Sequence, residues 1–321
     1  VHVTVTPASL ALVAGDSLKW LQAGQASVRI AGLVHGDSVV RTLTVDVPAP
    51  PLVVFDGVRT VSGIGNRDVF AVALDGLDFV RLTTDALEDY NPTVRGSTLV
   101  FVSSRSGSRE LWRQPLAGGA AVRITTNALD ESDPRLSPDG TRIAYVDFNG
   151  GFPRVRTVNL TGTGDARWTP ADGVSLSVEA SPAWSPTGDR IAYVTTREGN
   201  AGIWVGATSG AAGSATRLVG GAGTGNNVEP SWSPDGTEIV FASDRGGGTD
   251  LWVVTVATGV TVRITTIGTV GQPVWLPDGR IVFRDYAGGV NRLWVMRRGA
   301  PAARTLIDVG SEGGERPQAA K

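Results

Sequence analysis

Short apolar runs alternate with polar turns along most of this chain, and both recur at regular intervals. One unit reads Glu229-Pro230-Ser231-Trp232-Ser233-Pro234-Asp235-Gly236-Thr237-Glu238-Ile239-Val240-Phe241. A proline leads a short strand, a Ser-Pro-Asp-Gly turn follows, and a second apolar strand leaves. Pro presets φ at the second position of a tight turn, and Gly supplies the conformation that closes it. Each unit therefore predicts a β-hairpin.

The copies line up by eye. Pro134-Arg135-Leu136-Ser137-Pro138-Asp139-Gly140 leads into Arg142-Ile143-Ala144-Tyr145-Val146, and Pro182-Ala183-Trp184-Ser185-Pro186-Thr187-Gly188 into Arg190-Ile191-Ala192-Tyr193-Val194. Pro273-Val274-Trp275-Leu276-Pro277-Asp278-Gly279 leads into Arg280-Ile281-Val282-Phe283, and a weaker copy begins at Pro92. Third strands follow at Glu110–Trp112, Arg154–Arg156, Gly202–Val205, Asp250–Val254 and Arg292–Met296. Fourth strands include Val122–Thr126 and Val262–Thr266. With Pro317, the leading prolines recur at intervals in the forties, the signature of a four-stranded propeller blade.

Residues 52–84 hold a second, third and fourth strand but no proline-led first one. The tail Glu315-Arg316-Pro317-Gln318-Ala319-Ala320 has a proline at the right distance from Pro273 and would supply the missing strand. Such closure pairs the two ends of the domain and removes exposed sheet edges. The expectation is an all-β, six-bladed β-propeller over 52–321, closed by its C-terminal strand.

Residues 1–47 follow a different pattern. Val3–Thr6, Leu10–Leu12, Ala26–Ile30 and Val39–Val45 are alternating or β-branched and are separated by Gly-Asp pairs, so they predict a small separate β module. Pro48-Ala49-Pro50-Pro51 is a stiff linker.

Composition narrows the chemistry. The net charge of −2, without a basic run, gives no case for nucleic acid, and no apolar run is long enough to span a bilayer. There is no Cys, and the only histidines are His2 and His35, outside the predicted propeller. A His-based triad or a zinc site in the propeller is therefore not expected. A chain that opens directly on a strand pattern is expected to be a mature or trimmed form.

The Pro-x-[Trp/Leu]-[Ser/Leu]-Pro-[Asp/Thr]-Gly repeat, with its flanking strands, resembles the TolB-type six-bladed β-propeller over about 270 residues. Val5–Gly15 and Ser27–Val47 resemble the opening and closing strands of bacterial Ig-like surface domains, although about 50 residues is short for such a sandwich. The resemblance implies an exported bacterial protein: extracellular, at the cell surface or periplasmic. It also occurs in binding proteins and in the propellers of serine oligopeptidases, so fold alone does not assign function. No Gly-x-Ser-x-Gly hydrolase elbow accompanies the repeat here.

The candidate site residues are acidic. Asp89, Glu131, Asp133, Glu179, Glu229 and Glu315 all lie within three residues of a leading proline. Sixfold repetition would gather them at one mouth of the central channel, where they would hold Ca²⁺ through oxygen ligands or attract a cationic peptide. Asp139, Asp235 and Asp278 read as turn formers. The register-fixed tryptophans read as packing. Arg105, Arg197 and Arg245 are expected to make inter-blade salt bridges. The leading expectation is a non-enzymatic module binding a protein or peptide at the channel mouth. One alternative is a filament or surface-layer subunit assembled on copies of itself through residues 1–50. The other is a glycan lyase or hydrolase.

Overall fold

The computed structural model describes the strand backbones of residues 1–51. From 52 to 319 it describes the chain apart from 62–63, 75–78, 128, 149–150, 170–176, 210–214, 222–223 and 310–313, with no side-chain detail at 59–61, 64 and 301. The chain divides into two compact units, Val1–Pro51 and Leu52–Lys321.

The first unit has strands His2–Thr6, Ala11–Ala14, Ser17–Trp20, Gly24–Val34 and Asp37–Val47. His2–Thr6 pairs antiparallel with Gly24–Val34, which pairs with Asp37–Val47. Ala11–Ala14 and Ser17–Trp20 form a separate hairpin. The expected Ig-like packing depends on side chains that lie outside the described residues.

The second unit is a six-bladed propeller, each blade a four-stranded antiparallel sheet. Blade 2 is typical: Asp89–Arg95, Thr98–Ser103, Glu110–Pro115 and Val122–Arg123. The first strands of blades 3 to 6 are Glu131–Leu136, Glu179–Trp184, Asn227–Trp232 and Val270–Trp275. Blade 1 takes its first strand from Glu315–Ala319, which pairs antiparallel with Leu52–Val61 at Glu315↔Asp56 and Ala319↔Val53. Its hairpin runs further than the sequence pattern suggested, from Leu52–Val61 into Ile64–Ala73, with pairing that continues to Val61↔Ile64.

Second strands read as unbroken apolar runs because both faces are covered by neighbouring blades. Leu99, Val100, Phe101 and Val102 are fully buried, as are Ile239, Val240, Phe241 and Ala242. The core lies between blades. One cluster joins Ala242 and Leu251 of blade 5 to Ile281 and Phe283 of blade 6.

The Ser-Pro-Asp-Gly turns are closed by their own side chains. Ser233 Oγ donates to Asp235 (2.6 Å), which also accepts the Thr237 N–H (3.0 Å), while Gly236 takes a φ of 71°. Adjacent first strands are tied by indole N–H groups: Trp184 Nε1 donates to the Arg135 carbonyl (2.9 Å) and Trp232 Nε1 to the Ala183 carbonyl (3.0 Å).

Candidate functional site

Every first strand carries the same irregularity. Register slips by one residue in all six, between Ser132 and Arg135 in blade 3 and at matching places elsewhere. The slip is a β-bulge whose two extra-wide positions are the leading proline and the residue before it. Proline has no N–H to give the ladder, so a strand tolerates it at a bulge. The preceding residue takes a left-handed conformation in each blade: Asn91 (φ 51°), Asp133 (48°), Ser181 (49°), Glu229 (58°), Gln272 (52°) and Arg316 (48°). Among the described residues these six are the only non-glycines with positive φ. Backbone held in that sparsely populated region is strained, and such strain concentrates at functional sites.

Five of the six line the central cavity, of about 290 Å³, together with the residues one and two positions past each leading proline and, in blade 2, Arg95. The bulge positions form a hydrogen-bonded arc. Glu229 accepts the Gln272 N–H (2.6 Å), and Gln272 Oε1 accepts the Arg316 N–H (2.7 Å). Asn91 donates its N–H to Asp56 (3.3 Å) and its side-chain amide to Asp133 (3.1 Å). Burial pushes the Glu229 carboxyl above its usual range, opposed by the Gln272 N–H.

This arrangement redistributes the six expected acidic residues among three registers, and only Asp133 and Glu229 line the cavity. Asp89, Glu131 and Glu179 sit three residues before their prolines and are fully buried. Asp89 is bound by Arg105 of its own blade (2.9 and 3.0 Å). Glu131 reaches back to blade 2, accepting from Thr125 (2.5 Å), Asn127 (2.7 Å) and the Leu111 N–H (3.0 Å). Burial lifts its carboxyl to about 7, against those hydrogen bonds. Glu179 makes the same clasp on blade 3 through Thr169 and the Val155 N–H (3.3 Å). Glu315, two residues before Pro317, is half-buried and bound by Arg67 and Asn291, each at 2.8 Å.

The expected ring of six carboxylates is therefore a mixed ring. Its bulge positions carry two acids, one arginine and three neutral polar residues. Glu131 and Glu179 bind the neighbouring blades, and among the described residues no three acidic or histidine side chains are grouped to hold a metal. Arg105 and Arg245 also differ from expectation. Each is stacked on a Trp of its own blade, Trp112 (4.9 Å) or Trp252 (4.8 Å), and bonded there to Asp89 or Asn227, while Arg105 also reaches Asp85 (3.7 Å) in the connection from blade 1.

Asn91, Ser181, Gln272 and Arg316 were not among the expected site residues. Their common signal is position immediately before a leading proline, which a search for charge alone passes over.

Comparison with known proteins agrees with the geometry. Residues 130–320 match the family model described as the TolB beta propeller domain. An 83-residue stretch is 32% identical to a Protein TolB homolog of Chlorobium luteolum, spanning 26% of this chain and 18% of that protein. The solved structure of TolB from Acinetobacter baumannii matches with a TM-score of 0.72 at 15% identity, covering 97% of this chain and 81% of that one. A TolB structure from Agrobacterium tumefaciens matches with a TM-score of 0.63 at 23% identity, covering 80% and 88%.

Proposed function

We propose, for a chain that belongs to the TolB beta propeller domain family, a non-enzymatic, periplasmic role in which the channel mouth binds a protein segment. The observation that carries this reading is the six-membered ring of left-handed residues before the leading prolines. A fold rarely repeats a strained position six times with six different polar side chains unless their direction matters. Asp133, Ser181, Glu229, Gln272 and Arg316 offer both charges and amide groups to one narrow space. That composition suits a polar polypeptide segment better than an apolar small molecule. Of the acidic residues singled out from the sequence, Asp133 and Glu229 would contact the segment directly. Glu315 would act by holding Arg67, while Asp89, Glu131 and Glu179 would keep the blades in place. The propeller's lack of His and Cys favours binding over catalysis.

The test is site-specific photocrosslinking in the cell of origin. A photoreactive residue at position 181 should capture a protein partner. The same residue at Val262, half-exposed on an outer strand, should not. Asp133→Lys with Glu229→Lys should abolish capture at 181. Equal capture at both positions, or capture indifferent to the double substitution, would overturn the reading.

A further inference from the structure

The channel lining carries two cations that its own carboxylates do not neutralise. Arg95 and Arg135 stand on neighbouring first strands, and both line the cavity. Among the described residues, no carboxylate lies within ion-pair distance of either guanidinium. The one hydrogen bond recorded for Arg135 goes from Nη1 to the Pro134 carbonyl (2.9 Å). Among the described residues, most of its five N–H donors meet no protein acceptor. Asp133 and Glu229 lie near enough to favour the Arg135 charge, and Arg316 opposes it, but neither acid makes contact. Burial pushes both guanidinium groups below their ordinary value, and at Arg95 the charge of Asp139 opposes this without an ion pair.

Several arginines elsewhere in the propeller are paired. Arg81, Arg123 and Arg263 each meet a buried carboxylate of the same blade at 2.7 Å or less. Arg316 is shared between Asp56 (3.7 Å) and the face of Tyr90 (5.7 Å). A partly desolvated cation without a counter-ion costs stability, so its retention calls for an anion that arrives from outside.

The wall around the two arginines supplies further donors. Thr93 Oγ1 accepts the Leu136 N–H (3.2 Å), and Ser231 Oγ accepts the Trp275 N–H (3.1 Å). These bonds use only the hydroxyl oxygens as acceptors, so both hydroxyls have a proton to give to the channel. The cavity thus has acids at the bulge layer and, one to three residues further along the strands, two arginines with hydroxyl donors.

We propose that Arg135 and Arg95 form a carboxylate-recognition site inside the channel, below the bulge ring. The carboxylate would take charge-assisted, bidentate hydrogen bonds from Arg135, with Thr93 and Ser231 donating to its remaining lone pairs. The space admits a small free acid or the acidic end of a protein segment. If the segment is the source, the inference rests on the channel-mouth reading above. If a free acid is the source, it stands without that reading.

The experiment is calorimetric titration of the full chain with succinate, and separately with a hexapeptide ending in Asp-Asp. Binding of either probe, weakened at least tenfold by Arg135→Gln and less by Arg95→Gln, supports the site. Succinate binding identifies a free acid as sufficient; binding of the peptide alone makes the carboxylate part of a segment. A second variant, Ser181→Asp, leaves both arginines in place but sets a competing carboxylate in the lining, at a left-handed position that Asp tolerates. It should also abolish binding. Absence of binding by both probes, or binding unchanged in Arg135→Gln and Ser181→Asp, would overturn the proposal. Loss of crosslinking at position 181 with carboxylate binding retained would sink only the protein-segment reading.

Discussion

Blade 1 and blade 5 have the same four-stranded form, and they attach their innermost strands in opposite ways. In blade 5, Asn227–Trp232 continues through a tight turn into Glu238–Ser243. The attachment is covalent and local, and Asp235 needs only to close the turn. In blade 1, Glu315–Ala319 comes from the far end of the chain and is held by pairing alone. No turn joins Ala319 to Val53, and an ion cluster secures the other end of the pairing, at Glu315↔Asp56. Asp56, fully buried, meets Arg67 (2.7 Å) and Arg316 (3.7 Å), and Arg67 also holds Glu315 (2.8 Å). Connectivity in one blade is replaced by electrostatics in the other. The two solutions respond oppositely to acid, because one carboxylate is buried and the other is served by hydroxyl and amide donors at the surface.

The largest effect should come from removing the noncovalent attachment. Deleting residues 315–321 uncovers the edge formed by Val53 and Val54, which are fully buried, and strands Asp56 and Arg67 without two partners. A loss of at least roughly 4 kcal/mol is expected, in the range that marks a broken buried network. Denaturant unfolding measures it, and a stability within 1 kcal/mol of the intact chain by the scale of surface changes would contradict the role of the closing strand.

Acidity offers the next sharpest contrast. Burial raises the Asp56 carboxyl from 3.8 to about 6, against the pull of Arg316 and Arg67. A raised carboxyl favours the folded state while it is protonated in both states' working range, so its contribution is full below about pH 4 and is lost as pH climbs through 6. The shift is worth about 3 kcal/mol. Asp56→Asn should flatten the decline in stability between pH 4 and pH 7, followed by melting temperature across that window. An unchanged slope would show that Asp56 is already ionised in the folded protein at pH 4. Asp235 runs the other way. Its hydrogen bonds from Ser233 and Thr237 hold it below its usual value, so its smaller contribution is present at neutral pH and lost as pH falls through the acid range.

The smallest effect belongs to the covalent blade. Asp235→Ala removes the acceptor that closes the turn while leaving the chain connection intact, and should cost roughly 1 kcal/mol. A cost matching that of the tail deletion would erase the distinction between the blades.

Most of the propeller was legible in the sequence because each blade is built from local hairpins with fixed turn chemistry. The leading prolines, the Ser-Pro-Asp-Gly turns and the unbroken runs such as Ile143-Ala144-Tyr145-Val146 each report a short-range constraint. The tail's role was legible for the same reason: Pro317 keeps the spacing. The site was only partly legible. Strict alternation along a strand would put Glu131, Asp133 and Arg135 on one face. The bulge at Asp133-Pro134 breaks that alternation, so Asp133 and Arg135 line the cavity while Glu131 turns into blade 2. Residue type gave the acids, but only backbone geometry gave their direction. Arg95 and Arg135 carry no motif; they became visible only once the structure set them in the cavity lining with no carboxylate among the described residues within ion-pair distance.

The closing strand has a consequence for biosynthesis. Arg67 and Glu315 are 248 residues apart in sequence, so blade 1 begins to form early but cannot be completed until nearly the whole domain has been made. Through synthesis, its unpaired edge is a sticky flank. The same arrangement makes closure a test of length: a chain that ends early keeps its open flank and stays available to chaperones and proteases, while a full-length chain withdraws it in a single late step.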